Sequence, residues 1–464
     1  MRLTFQEYYN SLPRELIQEG GAYGHMANVH ERWDLTFWDL KRLIYLGCKD
    51  GVSKEVKEKT DGQALAFSYV FSNPAKLQNP KIIFARNAGH YRQFGKDGLK
   101  GSKGVAEKFF NHSAQGVRDA FTFAAKDLEA AFDALPPEDL MELFGNGSRF
   151  VNLEIIWPEN ENVIPYGDHQ LLVLHNYREY DEQGNTIAGD FNDYGAFIAQ
   201  KLKETNLDVQ KRFKITSMPM LKIPTLTNHE QHIERLTDPI NNILRTHMLN
   251  DDNQMIEYWI KHFTDMIRQA AADTGYNIDS RLDLVNQLAW RWACKPISHK
   301  PVDLKTKTFQ TITKWRKELP RDPTNPEPVK AFINWVNETD KNIAVIHAQM
   351  VEPIQHIFGE LGMLVIQTID NLLTMNPSAA GKKIKMRLKQ AIDDAQHNQD
   401  PVTIKKIDTQ LNRILKLGGI DNIVPTEGIT FTYTPRGKTE PIIFKYTGNF
   451  APVNQLLGIA TYGR

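Results

Sequence analysis

Cysteine is nearly missing from this chain. Two residues, Cys48 and Cys294, are spread over 464 positions in no metal-ligand spacing. That excludes a disulfide framework and a cysteine-based zinc site, and it predicts a reducing, intracellular setting. Net charge is missing too. Lys plus Arg and Asp plus Glu both number 56, so nucleic-acid binding can come only from local patches. Long apolar runs are absent: the most apolar helical stretch, LGMLVIQTIDNLL, is too short to span a bilayer and contains Asp370. The first residues, MRLTFQEYYNSLPREL, lack an apolar signal-peptide core. The expectation is a soluble cytoplasmic protein with no membrane partner. There is no internal repeat and no low-complexity tract.

What is present has three textures. With 41% hydrophobic and 10% aromatic residues, the chain can bury a core and form two or three domains. Residues 1–204 mix strand and helix patterns. ALAFSYVF and KIIFARN read as adjacent strands across the turn SNPAKLQNP, and RFVNLEIIWP and HQLLVLHNY read as two more. The Ala-rich run from Gly104 to Leu135 reads as helix. HMANVHERWDLTFWDL reads as a helix packed on this part, and GKDGLKGSKG as a flexible basic loop. Residues 205–420 read as helical: one helix stops at Gly275, another carries Pro353 as a start, kink or break, and a third ends at Gly418-Gly419. Residues 421–464 return to strands, with GITFTYTP and PIIFKYTG as a hairpin. The order suggests one mixed α/β domain interrupted by a helical insertion.

Four spots could carry chemistry. In KTDG, Lys59 precedes Asp61-Gly62, a tight turn into a strand. The lysine could be a solvated turn residue, or a nucleophile whose amine is kept neutral by burial or nearby positive charge. Glu154 lies inside an apolar strand and faces either solvent or a polar cavity, because an unpaired buried carboxylate is costly. Glu427-Gly428 opens a strand, a suitable place for a Mg²⁺-binding carboxylate. Lys445 sits in the apolar strand PIIFKYTG, where a cation must meet an anion.

Taken in order, KTDG, the strand arginine of FARN, the glutamate of LEII, the strand LLVLHNY, EGITF and IIFKY resemble the motifs of the covalent nucleotidyltransferase superfamily. That superfamily comprises ATP-dependent polynucleotide ligases and capping enzymes. The likeness covers roughly residues 50–180 and 424–450, and is closest in style to phage-type RNA ligases. It implies an α+β fold: an ATP-grasp-like ligase adenylyltransferase domain of antiparallel sheets with helices, formed by residues 1–204 and 421–464 and interrupted by an all-α insertion at 205–420.

The resemblance also implies roles. Lys59 attacks the α-phosphate of ATP and becomes lysyl-AMP; the AMP passes to a 5′-phosphate end, and a 3′-hydroxyl then seals the strand. Lys445 contacts the α-phosphate and helps keep Lys59 neutral. Glu427 holds Mg²⁺ or Mn²⁺. Glu154 binds the ribose, Arg86 the nucleotide or phosphate end, and Glu58 the adenine pocket, while Asp61 and Gly62 shape the turn. Only 19 residues follow Lys445, too few for the OB fold of DNA ligases, which directs the expectation toward RNA. A DNA ligase, another lysyl-AMP nucleotidyltransferase and a silent ligase-fold binding protein are the alternatives. Basic patches in the helical zone, with Lys314 and Arg316 in one and Lys382, Lys383 and Lys385 in the other, either contact nucleic acid or form solvated helix faces.

Overall fold

The computed structural model describes residues 28–50, 56–86, 90, 99–181, 186–190, 194–204, 212–279, 282–294, 326–374, 377–397, 401–439 and 441–462. The protein is a mixed α+β structure built on two sheets. The larger has seven strands: β2 (Gln63–Asn73), β3 (Gln78–Ala85), β4 (Leu99–Lys100), β5 (Arg149–Ile156), β6 (Leu171–Tyr180), β7 (Thr186–Asp190) and β8 (Lys214–Ser217). The order is β4-β3-β2-β5-β6-β7, with β8 parallel to the first half of β6 and all other pairs antiparallel.

Strand alternation divides the central residues between two faces. Leu65, Phe67 and Tyr69 point to a helical layer, whereas Ala66 joins Ile83, Ala85 and Phe150 in a small cluster of its own. The layer is formed by α2 (Gly101–Phe109), α3 (Gln115–Phe132) and α4 (Pro137–Phe144). Ala120, Ala124, Ala125 and Ala131 let α3 approach the sheet, and Phe67 meets Phe132 and Phe144 at ring-centroid distances of 4.9 and 5.4 Å. The Ala-rich run is therefore two helices rather than one. It breaks at Asn111 to Ser113, polar side chains that compete for backbone groups. The basic loop expected at 95–104 also differs where it is described. Leu99 and Lys100 pair with β3, and the backbone N–H of Ser102 donates to Glu129 Oε2 at 3.1 Å, which starts α2 immediately.

The smaller sheet joins the two ends of the sequence. β1 (Lys57–Glu58) pairs with β9 (Ile429–Tyr433), which pairs with β10 (Ile442–Tyr446), all antiparallel. The expected hairpin is present. It is followed by α12 (Phe450–Tyr462), so the final stretch is not strands alone.

Residues 29–45 contain less helix than their spacing suggests. Val29–Glu31 is one 3₁₀ turn, and α1 (Phe37–Tyr45) begins only at the Thr36 capping box. There Thr36 Oγ1 accepts from the Asp39 N–H at 3.1 Å and the Asp39 carboxylate accepts from the Thr36 N–H at 3.0 Å.

The described part of the zone 205–420 is mainly helical but includes β8. Its helices serve two cores. α6 (His229–Thr246), α7 (Met255–Thr274), α8 (Leu282–Cys294) and α9 (Pro326–Ile366) bury their apolar faces with α1 and with Phe431, Phe444 and Tyr446 of the small sheet. α10 (Pro377–His397) and α11 (Pro401–Lys416) instead pack with α12 and with residues 156–173 at the end of the large sheet. A further helix, α5 (Tyr194–Glu204), lies on β6. α9 runs through Pro353 unbroken for 41 residues, about 60 Å at 1.5 Å per residue. No helix among the described residues is long and apolar enough to cross a membrane.

Candidate functional site

Lys59 stands where the chain leaves the small sheet for the large one. Its backbone N–H donates to the Gly428 carbonyl at 2.8 Å, continuing the β1–β9 ladder by one residue. Four residues later, Gln63 begins β2. Two glycines make that crossing possible. A Cβ on Gly62 would lie 3.0 Å from both Glu154 Cβ and the Ile155 carbonyl oxygen. Gly428 has φ +120°, and a Cβ there would fall 1.9 Å from the Tyr446 carbonyl oxygen.

The crossing brings several of the expected residues together. The Lys59 ammonium is ion-paired with the Glu427 carboxylate, and both side chains are largely buried. Glu154, on β5, accepts a hydrogen bond from Thr60 Oγ1 and has His175 Nε2 3.9 Å away. Lys445 lies in the row Lys57–Thr430–Lys445 across the small sheet, and the electrostatics of its amine are set partly by Lys59 and Glu427. Asp61 is turned to a different task. Its Oδ2 accepts from the backbone N–H groups of Val163 and Ile164 at 2.6 and 2.8 Å, while its own N–H donates to the Tyr166 hydroxyl at 2.7 Å. These bonds clamp the lysine turn to the loop between β5 and β6.

The charges are unbalanced. Burial opposes an ammonium at Lys59, but Glu427, Glu154 and Asp61 outweigh it and raise the pKa above the usual lysine value. A nucleophilic lysine needs a neutral amine; this arrangement holds Lys59 protonated. Burial, with Glu154 and Asp61 adding, pushes Glu427 up to about 7 against the pull of Lys59. Burial lowers Lys445, helped by Lys59 and opposed by Glu31 and Glu427. His175 is likewise lowered by burial, with Glu154 opposing. Three carboxylates around one ammonium leave room for further positive charge. Among the described residues no three His, Cys, Asp or Glu side chains form a metal-holding group. A divalent ion at Glu427 would therefore need phosphate and water as its other ligands, a coordination that suits Mg²⁺.

No family model, curated protein or solved structure matches this chain.

The remaining expected residues lie elsewhere. Glu58 is buried and its carboxylate is already engaged, accepting from the Leu373 N–H at 2.6 Å and from Thr426 Oγ1 at 3.3 Å. Burial pushes it up to about 7 against these two bonds. Arg86 follows the last residue of β3, and its guanidinium packs over the Phe121 ring at 5.3 Å. On α10, Lys383 is ion-paired with Glu161, Lys385 with Asp421 at 3.2 Å, and Lys382 is exposed. Lys314 and Arg316 lie outside the described residues.

Sequence reasoning missed Thr60, Thr426 and Tyr166. Thr60 is the variable letter of KTDG, and Tyr166 is 105 residues from its partner Asp61, so neither carried a local signal.

Proposed function

We propose that this protein is an ATP-dependent nucleotidyltransferase of the polynucleotide-ligase type, forming lysyl-AMP on Lys59 and joining RNA ends. One observation carries the reading: Lys59 sits at the junction of two sheets, against Glu427, with Glu154 and Lys445 facing the same spot from other strands. The Lys59 ammonium must first release its proton to solvent, and the neutral amine can then attack the α-phosphorus of ATP. A P–N bond forms, the bond to pyrophosphate breaks, and a 5′-phosphate oxygen later displaces the lysine. Lys445 would steady the α-phosphate, and Glu154 with His175 and Thr60 would bind the sugar. Glu427 would hold Mg²⁺ or Mn²⁺, which would supply charge neutralisation at the phosphates.

The test is incubation of the full chain with α-labelled ATP and Mg²⁺, followed by a denaturing gel. The expected result is covalent, acid-labile label that is absent from Lys59→Met and reduced roughly 100-fold or more in Glu427→Ala and Lys445→Ala, the scale for losing one charge-stabilising group. Label on Lys59→Met would place the nucleophile elsewhere. Transfer from the labelled protein to 5′-phosphorylated RNA or DNA decides the strand.

A further inference from the structure

A small open cleft lies beside Lys445. Four separate stretches wall it: residues 28–30, α9 from Glu352 to Gly359, α11 at Arg413 to Leu417, and the turn after β10. Its lining is rich in donors. Arg413, Lys416 and Lys445 are cations, and His30, Gln355 and Thr447 are neutral donors. The one carboxylate, Glu352, already pairs with Lys416 at 2.6 Å.

Arg413 is the informative residue. Its Nη1 donates to Gln410 Oε1 at 2.8 Å and Gln455 Oε1 at 3.0 Å, both uncharged. Burial lowers its pKa from the ordinary arginine range, with Glu352 opposing. His30 is pushed down to about 4 by burial, against Glu31, with Arg413 and Lys445 adding to the fall. Lys445 is lowered mainly by burial. Three basic groups from three parts of the chain thus line one partly dry space, each penalised for carrying charge. An anion placed among them would relieve all three. A planar guanidinium beside two ammonium groups matches the oxygens of a phosphate.

We propose that this cleft binds a phosphate-type anion such as pyrophosphate, with Arg413 as its anchor and Lys416 and Lys445 beside it. The site does not require that Lys59 react, although pyrophosphate is also the leaving group of the reaction proposed above. Such an anion could arrive free or as the terminal phosphate of a strand.

Calorimetric titration of the full chain with inorganic pyrophosphate, without nucleotide, tests the proposal. The expected result is saturable one-to-one binding, weakened at least tenfold in Arg413→Gln and largely retained in Arg413→Lys. Lys416→Glu, at a half-exposed position that should not affect folding, is expected to weaken binding severalfold and stands in if Arg413→Gln does not fold. No binding to the wild type, or equal affinity in wild type and both charge-altering variants, overturns the proposal. A parallel titration compares a 5′-phosphorylated and a 5′-hydroxyl dinucleotide. Arg413-dependent preference for the former that pyrophosphate cannot displace would reassign the cleft to a strand end. Because these measurements need no lysyl-AMP, they can fail or succeed separately from the labelling of Lys59.

Discussion

At the scale of single residues, the carboxylates of KEKTDG divide the labour. Glu58 turns to Leu373 and Thr426, and Asp61 to Val163 and Ile164, so each ties the short stretch around Lys59 to a distant segment. Glu58 has a consequence for pH. Its folded pKa of about 7 stands above the 4.5 of a free side chain. Between those values the native state binds more protons than the unfolded chain, so stability falls as pH rises through that window and the loss is complete above it. Glu58→Gln keeps an oxygen for the Leu373 N–H but never ionises. It is expected to raise stability at pH 8 by on the order of 2–3 kcal/mol and to leave stability near pH 4 almost unchanged. Denaturant melts of both proteins across pH 4–8 measure this. Parallel pH profiles would show that Glu58 does not set the slope.

At the scale of elements, the small sheet is the decisive piece. It has three strands, one of them two residues long, and it holds Lys59 through a single backbone bond to Gly428. Gly428 combines a left-handed φ with a carbonyl where a Cβ would stand. Gly428→Ala is therefore expected to cost roughly 3 kcal/mol or more, since backbone strain and overlap with the Tyr446 carbonyl add. The same change should loosen the Lys59–Glu427 pair. Denaturant unfolding measures the first effect. An unchanged midpoint would mean that the β9–β10 ladder can shift without penalty. Gly437, in the exposed turn between β9 and β10, also has a left-handed φ of +76° but open space around its Cβ position, so Gly437→Ala carries the backbone strain without the overlap and separates the two effects.

At the scale of the whole molecule, the helical zone is not a separate appendage. α6 to α9 complete the core under the small sheet, while α10 and α11 complete another at the end of the large sheet. Any polynucleotide contact on α10 must use the cations that internal ion pairs leave available. Lys383 and Lys385 are engaged with Glu161 and Asp421, whereas Lys382 and Lys389 are exposed. Reversing Lys382 and Lys389 to Glu is expected to weaken polynucleotide binding and to lower the slope of log affinity against log salt by roughly 1 per lost phosphate contact. Labelling of Lys59 should persist, because the lysine is held by other elements. Unchanged affinity and slope would move the nucleic-acid surface off α10.

Composition and pattern were enough to decide several things about this protein. Alternating β-branched and aromatic runs specified β2, β3, β5, β6 and the β9–β10 hairpin. Gly275 and the pair Gly418-Gly419 specified helix ends, because left-handed backbone favours glycine. The order KTDG, LEII, EGITF, IIFKY singled out Lys59, Glu154, Glu427 and Lys445. Long-range folding decided the rest. The Lys59–Glu427 pair joins residues 368 positions apart, and it depends on β1 finding β9, a pairing that two residues cannot advertise. Whether Lys59 carries a proton depends on three carboxylates from three segments, and the Arg413 cleft depends on four. Local sequence sets the conformation of each segment; the burial and the charges around a side chain are set by whichever segments pack against it.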